Sequence, residues 1–245
     1  MENGQSIRDA RVDLAAALRL AVRFGLNEGI DNHFSFALPG DGDRFLLNPY
    51  GLHWSEVTAS RLHLVDADGT VIEGDGPWEP SAFYIHSRIH LGHPAADCVL
   101  HTHMPHATAL TLLEDGRLEP LSQTSIMFYG EVAYDPEYNG LVEDREEGDR
   151  IARAMDGKRV LFMANHGVTV VGESIAEAFT QLYYLERACQ AQVLAMSTGR
   201  PLKPLGGNRA AATHEELVAE RKTSSGIHFD ALKRLLDREE PDYAA

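Results

Sequence analysis

Apolar residues Ile7, Val12, Leu14, Ala15, Leu18, Ala21 and Val22 recur three and four positions apart, the spacing that lines one face of an α-helix. Gly25 and Gly29 end that pattern. The runs HFSFAL, RFLLNP and VTASRLHLVDADGTVIEG then read as strands joined by Gly and Asp turns, with VDADGTV closing a hairpin. Glu79-Pro80-Ser81 marks a helix start, with Ser81 as its cap and a body from Ala82 to Gly92 that stops before Pro94. CVLHTH has the character of a strand, ATALTLLEDG of a helix, GEVAYDP of a strand and REEGDRIARAMDG of a surface helix. RVLFMANHG and VTVVGES are β-branched runs around a glycine, and ESIAEAFTQLYYLERACQAQVLAMSTG is the longest periodic segment, ending at Gly199 before Pro201. Beyond Pro204 the chain turns polar, and HFDALKRLLDRE predicts a terminal helix.

With 245 residues and 44% hydrophobic composition, the chain can bury a sizeable core without covalent staples. Its formal charge of −15, from 37 acidic against 22 basic residues, argues against general affinity for nucleic acid or anionic membranes. MENGQSIRDARVDL has no apolar core of signal-peptide type, and no uncharged run reaches the length of a membrane span. The expectation is a soluble cytoplasmic protein whose partner is a small-molecule substrate. Cys98 and Cys189, both in apolar stretches, are too few for a disulfide framework and fit buried free thiols in a reducing compartment.

Twelve histidines change the picture only through their spacing. In CVLHTHMP, His101 and His103 stand at positions i and i+2 of a strand, so both side chains share one face and can converge on one ion. Asn165-His166-Gly167 follows the apolar strand RVLFMA, and its glycine permits a turn that leaves the imidazole at the strand end. Three neutral imidazoles are the donor set of a catalytic zinc site that keeps a position open for water or substrate; Mn²⁺ and Fe²⁺ accept the same donors. His86 and His90, one helical turn apart, read as packing or hydrogen-bonding groups. His53, His63, His93, His214 and His228 call for no special role, and Tyr183 and Tyr184 read as core.

The segments GIDNHFSFALPG, FLLNPYGLHWSEVTASRLHLVDADG, HPAADCVLHTHMPHATAL, FMANHGVTVVGESIAEAF and LERACQAQ together resemble the class II aldolase and adducin head-domain family, from roughly Leu18 to Gly199. The resemblance implies an α/β fold of three layers, α/β/α, around a mainly antiparallel sheet, assembled as a homotetramer with metal sites at subunit interfaces. It places the metal on the equivalents of His101, His103 and His166. A substrate bound to that metal through a hydroxyl and a carbonyl oxygen would lose a carbon–carbon bond to a stabilised enolate. The leaving group is an aldehyde in an aldolase and carbon dioxide in a decarboxylase. Residues 1–205 are expected to form this domain, and 206–245 a C-terminal extension packed on it or on a neighbouring subunit.

One departure matters. The family's sugar-phosphate aldolases use a glutamate four residues before the helix histidine, and here that histidine is His86 and the position is Ala82. Glu79, His33 and His106 are the candidate acid/base groups in its place. The phosphate-cradling positions correspond to Asn32, Gly51 and Ser81, but Asp31 beside them would repel a phosphate. A carboxylated or aromatic substrate is therefore expected, with Tyr50, Trp54, Phe128 and Tyr129 as flat walls and Gln123 in the cleft. Two readings compete with the lyase: an adducin-like binding scaffold, suggested by Ala82-Phe83, and a non-haem iron oxygenase. Retention of all three histidines weighs against the scaffold.

Overall fold

Side chains alternate between two cores along the strands, and that alternation organises the molecule. The computed structural model describes residues 6–38 and 41–245. Helix α1 (Ile7–Phe24) starts where the Ser6 hydroxyl accepts from the Asp9 amide and ends at Gly25, whose φ of 65° closes the last turn. Strands β1 (His33–Leu38), β2 (Asp41–Leu47), β3 (His63–Asp66) and β4 (Val71–Glu73) follow as an antiparallel meander. Next come α2 (Pro80–Gly92), β5 (Cys98–Thr102), α3 (Pro105–Thr111), α4 (Gln123–Ile126), β6 (Val132–Asp135) and α5 (Arg145–Ala154). Strands β7 (Val160–Met163) and β8 (Gly167–Gly172), then the long helices α6 (Ile175–Met196) and α7 (Gly207–Glu239), complete the chain.

The eight strands form one sheet in the order β4-β3-β2-β1-β5-β8-β7-β6, and only the β6–β7 pair is parallel. Phe34, Phe36, Cys98, Leu100, Val168 and Val170 face one side, where they bury against α1 and α6. Val99, Val171, Leu161 and Met163 face the other, against Ile85 and Ile89 of α2 and Ile151 of α5. The expected three layers and mainly antiparallel sheet are what the chain adopts. The period-two alternation leaves no choice about faces, because slipping a strand by one residue would expose its whole apolar set.

Three local expectations need correction. The N-cap of α2 is Glu79, not Ser81: its carboxylate accepts from the Ser81 and Ala82 amides, and Pro80 takes the first helical position, where no amide is needed. The start of VTASRLHLVDADGTVIEG is not strand: it holds a short 3-10 turn, Ala59–Arg61, and the strand begins only at His63. The terminal helix is far longer than HFDALKRLLDRE, running unbroken for 33 residues. It is anchored by few buried positions, Arg221, Ser225, Phe229 and Leu236 among them, and Phe229 packs 5.7 Å from Phe179 of α6.

Candidate metal centre

Strand β5 lies between β1 and β8, and its last residues carry the chemistry. His101 stands opposite His33 on β1 and Thr169 on β8, with its side chain on the α2 face and 1% exposed. His103 follows immediately beyond the strand end. His166 arrives from the β7–β8 turn, where Asn165 adopts φ 58° and so reverses the chain within one residue. Gly167 is required at that point. A Cβ there would lie 2.6 Å from the Thr102 carbonyl oxygen and 2.7 Å from His103 Cδ2, so any side chain would drive β8 away from the histidines.

The candidate donor atoms of His101, His103 and His166 lie within 4.8 Å of one another. Their outer nitrogens decide the tautomers. His101 Nδ1 is 3.1 Å from the Val168 carbonyl, and a carbonyl only accepts, so Nδ1 carries the proton. His103 Nδ1 is 2.6 Å from Glu28 Oε2, and donates likewise. In the neutral rings both Nε2 atoms are then lone pairs, and they face each other at 3.1 Å. Two nitrogens bound to one zinc at ordinary bond lengths stand about 3.3 Å apart. The site thus fits a divalent cation, which would turn a repulsive lone-pair contact into two bonds. Burial holds His101 well below the ordinary imidazole pKa, and burial first and His103 second push His166 down to about 4. Neutral imidazole is the form that ligates.

Asn32 braces the same corner. Its Oδ1 accepts from the Glu28 amide at 2.7 Å and from the His103 amide at 3.5 Å, while its Nδ2 is buried without a partner. That leaves a donor available beside the histidine cluster. His33 stacks on His101 with ring centroids 4.7 Å apart; burial first, then His166 and His103, lower its pKa to about 3.

The matched family model is the class II aldolase and adducin N-terminal domain, over residues 12–193. The chain belongs to this family. It is 37% identical over 237 residues to a Caulobacter vibrioides protein assigned to aldolase class 2, covering 96% of this chain and 91% of that one. Rat alpha-adducin is also 37% identical, over 78% of this chain but only 26% of its own length. Among solved structures, an aldolase II superfamily protein from Pseudomonas syringae superposes with a TM-score of 0.91 at 36% identity, covering 100% of this chain and 98% of that one. An L-fuculose 1-phosphate aldolase from Glaciozyma antarctica gives 0.85 at 27% identity, covering 99% and 96%. Family membership makes a divalent metal and a small-molecule substrate the expected ligands.

The other sequence candidates divide. Glu79 stands at the edge of the cluster, with Oε2 3.9 Å from His33 Nε2, and also caps α2; the Ser81 hydroxyl is turned back onto it. His106 is tied to Glu186, whose Oε1 lies 2.7 Å from its Nδ1 and 3.0 Å from its amide. Gly51 occupies a turn at φ 88°. Gln123 is exposed at the start of α4. Tyr129 faces His214 of α7 at 6.5 Å between ring centroids. Neither touches the three histidines within this chain. Trp54 and Phe128, expected as substrate walls, are core residues with 0% and 2% exposure, because each faces the α1/α6 layer. Two residues escaped the sequence reading: Glu28, and Tyr138, whose exposed ring stands 6.5 Å from His166.

Proposed function

We propose that this protein is a divalent-metal-dependent lyase, with zinc the favoured ion on His101, His103 and His166, that cleaves a carbon–carbon bond next to a carbonyl. The observation that carries the reading is the meeting of two Nε2 atoms at 3.1 Å, each with its Nδ1 committed elsewhere. Bound there, the ion supplies Lewis acidity that draws electron density from a substrate carbonyl as the neighbouring bond breaks. The protein's own groups do the rest. Asn32 Nδ2 offers its hydrogens to a substrate oxygen, and Glu28 keeps His103 in its ligating tautomer. Aldol cleavage is the preferred branch, since the Glaciozyma antarctica neighbour is an L-fuculose 1-phosphate aldolase; decarboxylation needs the same electron sink. With this reading go a homotetramer, and residues 206–245 as an extension of the domain formed by 1–205.

A non-catalytic scaffold is the second reading, favoured by Ala82 at the glutamate position together with the likeness to adducin. Metal analysis of protein purified without added metal separates the two. The lyase reading expects about one ion per chain, lost in His101→Ala, and aldehyde or carbon dioxide release from a panel of hydroxy- and oxo-acids. Metal-free protein with no affinity for added zinc, manganese or ferrous ion sinks it. Oxygen uptake by iron-loaded protein would instead support the oxygenase.

A further inference from the structure

Behind the metal ligands, on the same face of the sheet, lies a chain of hydrogen-bonded side chains whose first ring, His33, stacks on His101. Alternation on β1 puts His33 and Ser35 on the side opposite Phe34 and Phe36, and α2 presents His86 and His90, one turn apart, to the same layer. The links are short and consecutive. His33 Nδ1 is 2.8 Å from His86 Nε2, His86 Nδ1 is 2.5 Å from Ser35 Oγ, and Ser35 Oγ is 2.7 Å from His90 Nε2. His90 Nδ1 ends the series, 2.5 Å from the Ala96 carbonyl oxygen. His90 is stacked on Phe45 at 4.8 Å, 11° from parallel.

The carbonyl at the end decides every proton in the chain. It can only accept, so His90 donates from Nδ1, and the neutral ring then accepts at Nε2. Burial supports the neutral ring by pushing His90 down to about 4. The one hydroxyl proton of Ser35 goes to His90 Nε2, so Ser35 Oγ must accept from His86 Nδ1–H. His86 Nε2 is then a lone pair and accepts from His33 Nδ1–H. The reverse order would set a bare His90 nitrogen against the Ala96 oxygen at 2.5 Å, a repulsive contact between two acceptors. At the far end His33 is 4% exposed, and its Nε2 lies 3.9 Å from Glu79 Oε2, too far for a hydrogen bond.

We propose that Ser35, His86 and His90 are positioning residues that lock His33 as its Nδ1–H tautomer, so that Nε2, with the Glu79 carboxylate beside it, receives a hydroxyl group of the substrate or a water. Glu79 Oε2, 3.9 Å from His33 Nε2, already accepts from the Ser81 hydroxyl and the Ala82 amide, so the acceptor left open at this corner is the locked His33 Nε2. An O–H group is a small neutral donor that can fill it. His33 therefore enters as an acceptor, and a substrate bearing a hydroxyl is recognised over one lacking it. The specificity clause rests on the lyase reading; the tautomer lock does not.

The test is the long-range ¹H–¹⁵N correlation spectrum of histidine-labelled, zinc-loaded protein at neutral pH, with rings assigned by single substitution. Wild-type His33, His86 and His90 are expected as neutral Nδ1–H rings. Ser35→Ala should return His33 and His86 to mixed tautomers while His90, anchored by Ala96, keeps its pattern; Ser35→Thr, which retains a hydroxyl on a strand, should restore all three. A His33 ring protonated at Nε2 in the wild type overturns the lock, as does a Ser35→Ala spectrum with His33 unchanged. Failure of the lyase reading would appear separately, as absence of metal or product with the tautomers intact.

Discussion

Glu28 tests the metal reading without touching a ligand. Its carboxylate accepts from His103 Nδ1 at 2.6 Å, and outer hydrogen bonds of this kind are worth roughly 10–100-fold in metal affinity. Glu28 is 64% exposed, so solvent screens the pair and water can take over the acceptor role in its absence. That places Glu28→Ala near the low end, about tenfold, or about 1.4 kcal/mol. Glu28→Gln keeps an acceptor oxygen but not the charge, and should recover part of the loss. The assay is zinc competition against a chromophoric chelator, using metal-free wild-type and variant proteins side by side. Thermal stability should barely move, because an exposed side chain is lost from a surface corner. Unchanged zinc affinity in Glu28→Ala would refute the argument that this hydrogen bond sets the His103 tautomer. A loss as complete as that of His103→Ala would also refute it, by making Glu28 a ligand instead.

Gly167→Ala places its Cβ 2.6 Å from the Thr102 oxygen; it should cost about 1–3 kcal/mol in urea unfolding and weaken zinc binding in the same competition assay, and a silent substitution would contradict the close approach. Glu186→Ala leaves the amides of His106 and Ala107 uncapped, bonds now 3.0 Å each; unfolding should show about 1–2 kcal/mol lost, with metal content retained. Acid should destabilise the metal-free protein early: burial lowers the pKa of His86 and His90, so below the ordinary value of 6.5 the unfolded chain binds protons that the folded one refuses. That stability is whole above about pH 6.5 and, for His90, is lost down to about pH 4, at a cost of about 3 kcal/mol; a urea midpoint that stays fixed between pH 7 and pH 5 would contradict it.

The apolar pattern carried much of the fold because most elements bury one clean face. Helix α1 runs over Ile7–Phe24, the span its spacing predicts, and the alternation in HFSFAL and CVLHT matches β1 and β5. Where the inward residues are polar, the pattern goes quiet. Helix α7 buries Arg221, Ser225, Phe229 and Leu236 at spacings of four and seven, a helical face that hydrophobicity cannot register because half of it is Arg and Ser. The His101–His103 spacing was legible because a strand's geometry converts i and i+2 into one face. Glu28 was not, since it meets His103 across 75 residues through a tertiary contact. Trp54 was misread for the converse reason: an aromatic residue near a glycine turn looks the same whether it lines a cleft or, as here, packs 4.6 Å from Phe34 in the core.

Ala82 and the buried histidine chain explain each other. Ala82 is 1% exposed and stands one helical turn before His86, so a glutamate there would put a carboxylate into the layer that holds His33 and His86. A carboxylate beside those rings would compete for the proton that His33 now gives to His86 at 2.8 Å and would favour a charged imidazole. With alanine, His86 Nε2 is left to accept, the direction set by the Ala96 carbonyl passes unbroken to His33, and Glu79, at the head of α2, is the nearest carboxylate to His33 Nε2. Loss of the glutamate therefore does not leave the site without an acceptor. On the proposal above, the acceptor is an imidazole whose tautomer is fixed four hydrogen bonds away, at the Ala96 carbonyl.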